Sequence, residues 1–138
     1  MIIEKRPGQD ILDTETMHIG FAVNIEGSNT AGFAHDIVGT WWPELINIGA
    51  CEPGTVLTKD HDGIHYHALV CHSQFGSRGG WTKTPEWLAK CLDNIGTTDP
   101  ISMIAIGTGL NGLLLGADWK AIKKTMEDSH AKIVLYGE

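Results

Sequence analysis

The sequence lacks the cysteine pattern of a disulfide or zinc framework. It has three cysteines in 138 residues, Cys51, Cys71 and Cys91, and none of them forms a CxxC pair. An odd and widely spaced set favours free thiols in a reducing compartment. A chain of this length buries about two thirds of its unfolded surface and needs no disulfide or metal to fold. We therefore expect a single domain, residues 1–138, in the cytoplasm, without a bound metal or cofactor.

Further absences narrow the possible partners. No stretch approaches the roughly 18 apolar residues that cross a bilayer, and the first ten residues lack the apolar run of a signal peptide. The formal net charge of -7 argues against nucleic acid or an anionic membrane as a partner. An acidic chain can still bind a small anionic ligand, because backbone N–H groups hold phosphate without any lysine.

What the sequence does contain is an alternation of strand and helix patterns, which is typical of an α/β sheet covered by helices. The predicted strands are Met1–Lys5, His18–Asn24, Gly54–Thr58, Ile64–Cys71, Ile101–Ile106 and Lys132–Tyr136. A polar connection over residues 59–63 predicts a hairpin between the third and fourth. The predicted helices are Gly32–Ile48, ended or kinked by Pro43, then Pro85–Ile95 capped by Thr84, and a last helix capped by Asp118.

Two glycine-rich loops each follow a predicted strand and precede a helix. The first covers Asn24–Ala34 and the second covers Gly107–Gly112. In open α/β sheets, ligands bind outside the carboxyl ends of the strands, where glycine lets backbone amides approach an oxyanion closely. Two such loops predict a ligand with two adjacent phosphates. The second loop has the outline of GxGxxG but lies too near the end of the chain for a dinucleotide-binding unit, and there is no GxxxxGK[ST] motif.

The order of the motifs resembles the macrodomain family over about the whole chain. The motifs are VNxEGxxxAGFA at Val23–Ala34, PGTVL at Pro53–Leu57 and IAIGTGLNGL at Ile104–Leu113. The Ser-x-Phe-Gly element at residues 73–76 is most similar to the branch of ADP-ribose 1''-phosphate phosphatases and terminal ADP-ribose hydrolases. The resemblance implies a three-layer α/β/α domain with a central mixed sheet, and ADP-ribose or a related metabolite as the ligand.

The resemblance also implies which residues bind the ligand. Asp10 would accept a hydrogen bond from the adenine amino group, and Asn24 would lie near the distal ribose. Tyr136 would either pack near adenine or be an aromatic residue at the edge of the sheet. The remaining candidates are Ser73 and Phe75 after the middle strand, with Thr30, Ala31, Gly32, Phe33 and Ala34 on one side of the diphosphate and Gly107, Thr108, Gly109, Leu110, Asn111 and Gly112 on the other.

The residues leave open whether the chain catalyses a reaction. Asn111 stands where the hydrolase branch carries an aspartate, and an asparagine cannot serve as a carboxylate base or nucleophile. Phosphate removal from ADP-ribose 1''-phosphate remains possible if Asn24, His35 or Asp36 positions a water. The alternative is binding without catalysis. The protein would then recognise ADP-ribose or sequester an NAD-derived signal.

A histidine cluster supports a different class of function. His61, His65, His67 and His72 fall within twelve residues, and His65 and His67 project to the same face of a strand. A histidine-dependent metalloprotein is therefore a further alternative. No acid or cysteine completes a recognisable ligand spacing, so we expect a solvent-facing strand with imidazoles, and His72 could line the ligand cleft.

Overall fold

The predicted strands assemble into one mixed sheet. The computed structural model describes residues 1–29, 32–72, 78–96, 98–104 and 119–136, without the side chains of residues 78–82, 104 and 119. Within these residues there are six strands, namely β1 (Ile2–Arg6), β2 (His18–Asn24), β3 (Val56–His61), β4 (Ile64–His72), β5 (Ile101–Ile104) and β6 (Ile133–Tyr136). The helices are α1 (Gly32–Asp36), α2 (Arg78–Asn94) and α3 (Trp119–Asp128), with 3-10 turns at Ile11–Asp13, Val38–Thr40 and Pro43–Ile46.

The strand order places several strand ends along one edge. The order is β1-β6-β5-β2-β4-β3, and neighbouring strands are parallel except for the antiparallel pair of β3 and β4. His18 at the start of β2 pairs with Ile101 of β5 on one side and with His65 of β4 on the other. The five parallel strands therefore end at the same side of the sheet, which we call the carboxyl edge.

Apolar residues cover both faces of the sheet. On one face, Phe21 and Val23 of β2 pack with Phe33 of α1 and with Val38 and Leu45 of the 3-10 turns. On the other face, a second buried cluster joins α2 and α3 to β4, β5 and β6 through Leu88, Leu92, Ile122, Met126, Leu69, Ile101, Met103 and Leu135. This arrangement confirms the predicted α/β/α layers around a mixed sheet.

The hairpin between β3 and β4 is tighter than predicted. β3 continues to His61, which pairs with Ile64, so only Asp62 and Gly63 remain in the turn. Both have positive φ angles, 50° at Asp62 and 79° at Gly63. This geometry is the one that Asp-Gly favours in two-residue hairpin turns, because aspartate tolerates and glycine readily adopts the left-handed region.

The helix predicted over Gly32–Ile48 was wrong in length. The helix α1 ends at Asp36, and the chain continues as 3-10 turns at Val38–Thr40 and Pro43–Ile46. The β-branched residues of the first turn flank a glycine, which weakens helix formation, and Pro43 opens the second turn because its missing N–H cannot continue a helix. The segment still packs on the sheet, since Phe33 and Leu45 are buried and Ile37 and Trp41 are partly buried against the same core.

The start predicted for α2 was also wrong. Thr84 and Pro85 lie inside a helix that begins at Arg78, so Thr84 is not its cap. Local propensity alone would end a helix at an internal proline. Tertiary packing overrides it, because Leu88 and Cys91 are fully buried on the sheet. The helix was predicted to end at Ile95 and ends one residue earlier at Asn94, before Gly96, whose φ is +68°.

The end of the chain follows the prediction. The helix α3 carries an i,i+4 ion pair, with Lys124 Nζ 2.8 Å from Asp128 Oδ2, while its predicted cap Asp118 lies outside the described residues. β6 follows at Ile133–Tyr136. Across the described part of the chain, no helix combines the length and apolar character needed to span a membrane.

Candidate functional site

The carboxyl edge collects the segments that the sequence singled out. Asp10 follows β1, and Asn24 is the last residue of β2, which lies between β4 and β5 in the sheet. The remaining candidates follow β2 at residues 30–36, β4 at residues 73–75 and β5 at residues 107–112 in the sequence. Ten of these candidate residues lie outside the described residues: Thr30, Ala31, Ser73, Phe75, Gly107, Thr108, Gly109, Leu110, Asn111 and Gly112.

The described part of the first glycine-rich loop opens α1. Gly32, Phe33 and Ala34 are buried, and the Phe33 ring lies 5.5 Å from the ring of Phe21 on β2. Gly32 has a φ of +79°, a left-handed conformation that only glycine adopts without strain. The aromatic contact therefore ties the loop to the sheet, while Gly32 supplies the change of backbone direction that starts the helix.

Two buried asparagines shape the first part of this loop, directly at the end of β2. The Asn24 carboxamide donates from Nδ2 to Ser28 O at 2.7 Å and accepts at Oδ1 from Ser28 N at 3.2 Å. The Asn29 carboxamide accepts from Asn24 N at 3.2 Å and donates to Leu45 O at 2.9 Å. Both side chains are about 5% exposed or less. Together with Ser28 they form what we call the asparagine turn, residues 24–29.

Neighbouring backbone holds the asparagine turn on two sides. Ile25 N donates to His72 O at 2.9 Å, which joins the turn to the end of β4. On the other side, Ile48 N donates to Gly27 O and Cys51 N donates to Ile25 O, both at 2.9 Å. Gly27 is in contact with the backbone of residue 49, because a Cβ atom there would lie 1.7 Å from that carbonyl oxygen. The carboxyl edge is therefore well ordered at β2.

The two other candidate catalytic residues form an exposed pair in α1. His35 Nδ1 lies 2.8 Å from Asp36 Oδ1, and both side chains are more than 40% exposed. A carboxylate only accepts hydrogen bonds, so Nδ1 is the donor and Nε2 is left as the acceptor in the neutral ring. This arrangement can orient a water. In the described part of the structure, neither residue is hydrogen-bonded to the Asn24 side chain.

Asp10 and Tyr136 lie at the β1 and β6 side of the edge. Asp10 caps the first 3-10 turn, with Oδ1 accepting from Leu12 N at 2.9 Å, so Oδ2 is available to a ligand. Tyr136 is 3% exposed on β6, an interior strand, and the prediction of a sheet-edge aromatic was therefore wrong. Tyr136 forms one wall of a groove of about 350 Å³, together with Arg6 and Thr14.

The histidines lie mostly at the opposite end of the sheet. His18 Nδ1 is 2.9 Å from His67 Nε2, and His67 Nδ1 is 3.0 Å from the Thr58 hydroxyl. His65 stacks on the His18 ring at 4.8 Å and is bonded to Asp60. The sequence analysis missed His18, because its partners are 47 and 49 positions away and only the pairing of β2 with β4 brings them together.

This cluster is not a metal centre. Among the described residues, no group of three or more histidine, cysteine, aspartate or glutamate side chains has a metal-binding arrangement. Two of the ring nitrogens are bonded to each other, His18 Nδ1 to His67 Nε2, whereas a metal needs lone pairs that converge on one point. His67 is also 4% exposed, so the prediction of solvent-facing imidazoles was wrong for it. Burial, and then the neighbouring His18 and His65, lower the pKa of His67 to about 4.

The sheet order and the two helical layers define the macrodomain fold. No family model matches the sequence, and neither does any curated protein. Among solved structures, the chain is similar to the macrodomain of Thermus aquaticus DarG, with 13% identity and a TM-score of 0.62 over 100% of this chain and 98% of that one.

Two further solved structures agree. The macrodomain of Mycobacterium tuberculosis DarG is 17% identical, with a TM-score of 0.61 over 100% of this chain and 98% of that one. A mutant macrodomain of Oceanobacillus iheyensis is 18% identical, with a TM-score of 0.54 over 94% of this chain and 80% of that one. At such identities the likeness establishes the fold, and the macro-like architecture expected from the sequence is confirmed.

Proposed function

We propose that this chain binds ADP-ribose, or a metabolite built on it, at the carboxyl edge of the sheet. The observation that carries the proposal is the pairing of β2 with β5 as parallel neighbours. The two glycine-rich segments follow these two strands, so both leave the sheet on the same side and next to each other. Ligands of open α/β sheets bind at this location, and two adjacent phosphates need donors from two sides.

The proposal assigns each part of the ligand to its own group of residues. Backbone amides of residues 30–34 and 107–112 hold the diphosphate, which suits a chain with a net charge of -7. Asp10 Oδ2 accepts from the adenine amino group. Asn24 uses one amide hydrogen on Ser28 O, which leaves its second amide hydrogen for a hydroxyl of the distal ribose. Ser73 and Phe75 complete the cleft beside β4.

Calorimetry with the purified protein tests this function. ADP-ribose should bind with measurable heat, whereas AMP should bind more weakly, because it has one phosphate and no distal ribose. NAD keeps the diphosphate but carries nicotinamide on the distal ribose, so it reports how much room that end of the cleft has. Absence of ADP-ribose binding under conditions where the protein is folded by circular dichroism would overturn the proposal.

A second candidate function is removal of phosphate from ADP-ribose 1''-phosphate, and the His35–Asp36 pair favours it. In this role Asp36 orients the His35 ring, and His35 Nε2 or the Asn24 carboxamide positions the attacking water. Release of ADP-ribosyl groups from glutamate is disfavoured, because residue 111 is an asparagine. Phosphate release by the wild type, and its loss in His35→Ala with ADP-ribose affinity kept, would establish the phosphatase.

We also infer that the protein works in the cytoplasm. Its three cysteines are free, and Cys71 and Cys91 are fully buried as thiols. Free buried thiols are typical of a reducing compartment. Fractionation of the native host with an antibody to the protein tests this placement, and enrichment in an oxidising compartment would contradict it.

A further inference from the structure

Asn29 is a buried polar residue that connects the candidate site to the core. Its side chain is 4% exposed, and both ends of its carboxamide are bonded to backbone, at Asn24 N and Leu45 O. Its own backbone N–H donates to Ile46 O at 2.8 Å. Leu45 is fully buried in the core between α1 and the sheet. Asn29 therefore joins the end of β2 to a segment that the core immobilises.

A carboxamide is the side chain that this position requires. The amide hydrogen of Asn24 needs an acceptor, and the carbonyl oxygen of Leu45 needs a donor. Asparagine supplies both from one short side chain, whereas a carboxylate only accepts and an aliphatic residue does neither. An uncharged group also avoids repulsion of a nearby anionic ligand. Leaving either backbone group buried without a hydrogen bond would lower the free energy of unfolding.

The position of Asn29 in the chain links this bonding to the site. Gly32, the first residue of α1, follows only three residues later and has a left-handed φ of +79°. The other side of the asparagine turn is held by Asn24, whose carboxamide bonds to Ser28 in both directions. Hydrogen bonds therefore hold the first part of the glycine-rich loop, residues 24–29, without a ligand.

We propose that Asn29 is a positioning residue, which presets the first glycine-rich loop for the diphosphate of ADP-ribose by tying the end of β2 to Leu45. This inference rests on the proposed function and adds a residue that touches no ligand. Preorganised donors bind more tightly because the ligand does not have to order them, so loss of the tie should weaken binding. Asn29 acts through the backbone of the loop and does not contact the ligand.

Calorimetric titration of ADP-ribose into Asn29→Ala tests the proposal. We expect the dissociation constant to rise about tenfold or more, the size of effect associated with one buried hydrogen bond. The titration is carried out at a temperature where circular dichroism shows the variant to be folded. The isosteric variant Asn29→Asp keeps the acceptor for Asn24 N, removes the donor to Leu45 O and adds a negative charge, so it should also weaken binding.

Met126→Ala is the matched control for a purely structural role. Met126 is fully buried in α3 on the other face of the sheet, so its truncation lowers thermal stability without touching the carboxyl edge. Its ADP-ribose dissociation constant should stay within about twofold of the wild type, since no group that faces the ligand changes. A merely structural Asn29 would behave like this control, with lower stability and unchanged affinity.

The outcomes separate this inference from the function on which it rests. If the wild type does not bind ADP-ribose, the proposed function fails and the positioning role falls with it. If the wild type binds and a folded Asn29→Ala or Asn29→Asp binds equally tightly, the function stands and the positioning role is overturned. Weaker binding by both Asn29 variants, with wild-type binding by Met126→Ala, supports the inference.

Discussion

His18 and His67 share a direct hydrogen bond, with 2.9 Å between Nδ1 of the first and Nε2 of the second. One ring must donate and the other accept, so the pair cannot keep this bond when both rings are fully protonated. His65 stacks on His18, and Asp60 and Asp99 flank the group from β3 and from the segment before β5. The amino end of the sheet therefore contains a hydrogen-bonded cluster that is sensitive to acid.

The first prediction concerns stability against pH. The pKa of His67 falls from 6.5 to about 4 in the folded protein, so between these values the unfolded chain binds more protons. The contribution of His67 is therefore fully present above pH 6.5 and is lost as the pH falls toward 4. It amounts to at most about 3 kcal/mol. Denaturant unfolding at a series of pH values measures it.

Two variants isolate this effect from the other titrating groups. His67→Gln removes the titrating group, so its free energy of unfolding should fall less steeply than that of the wild type between pH 6.5 and 4. His130→Gln changes an exposed histidine after α3 and should keep the wild-type slope. Equal slopes for all three proteins would contradict the assignment to His67.

The second prediction concerns the thiols. Burial raises the pKa of Cys91 to about 12 and holds that of Cys71 well above its usual range, so neither forms a thiolate near neutral pH. Cys51 is only half-buried. A disulfide reagent at pH 8 should therefore react quickly with Cys51 alone, and with all three thiols in denaturant. Rapid reaction that persists in Cys51→Ser would show that a buried thiol is accessible.

The third prediction uses two glycines with the same backbone conformation. Gly32 and Gly63 both have a φ of +79°, so alanine introduces similar strain at each, about 1 kcal/mol or somewhat more. Gly32→Ala should weaken ADP-ribose binding about tenfold or more, because it alters the proposed diphosphate cradle. Gly63→Ala lies in the turn between β3 and β4, at the end of the sheet opposite the carboxyl edge. It should leave the affinity for ADP-ribose unchanged. Equal affinities for the two variants would mean that Gly32 is not part of the proposed diphosphate cradle.

The fourth prediction tests the contact that supports the asparagine turn. A Cβ atom on Gly27 would lie 1.7 Å from the carbonyl oxygen of Gly49, whereas a Cβ atom on Gly49 would meet nothing within 4 Å. Both residues have positive φ, so both alanine variants are strained. Gly27→Ala should lower the unfolding midpoint much further than Gly49→Ala, because backbone must also move apart. Comparable midpoints would mean that residues 27 and 49 are not in close contact.

Local patterns in the sequence were sufficient to find the strands, although β3 was predicted at Gly54–Thr58 and lies at Val56–His61. β2 was predicted with its observed bounds, and β4 and β6 each differ by one residue, since continuous apolar runs of strand length report burial directly. The Asp-Gly pair likewise predicted the hairpin. The prediction was wrong at α1, where the local residues 38–43 break the helix despite their apolar spacing. It was also wrong at α2, where packing on the sheet stabilises a helix that contains Pro85.

Some residues of the candidate site could likewise be predicted from the sequence, and others could not. The sequence indicated Asn24, Gly32 and Asp10 through motif order, and the strand pairing accounts for why their segments share one edge. It did not indicate Asn29, because the partner carbonyl at Leu45 is 16 positions away and an isolated asparagine in a loop has no pattern.

The sequence by itself determined the alternation of strands and helices, and with it the α/β class, because these depend on the periodicity of apolar residues over a few positions. Only the tertiary structure decided the strand order, the histidine cluster and the bonding of the asparagine turn. Each of these depends on which strands become neighbours, and that is set by the packing of the whole core around the sheet.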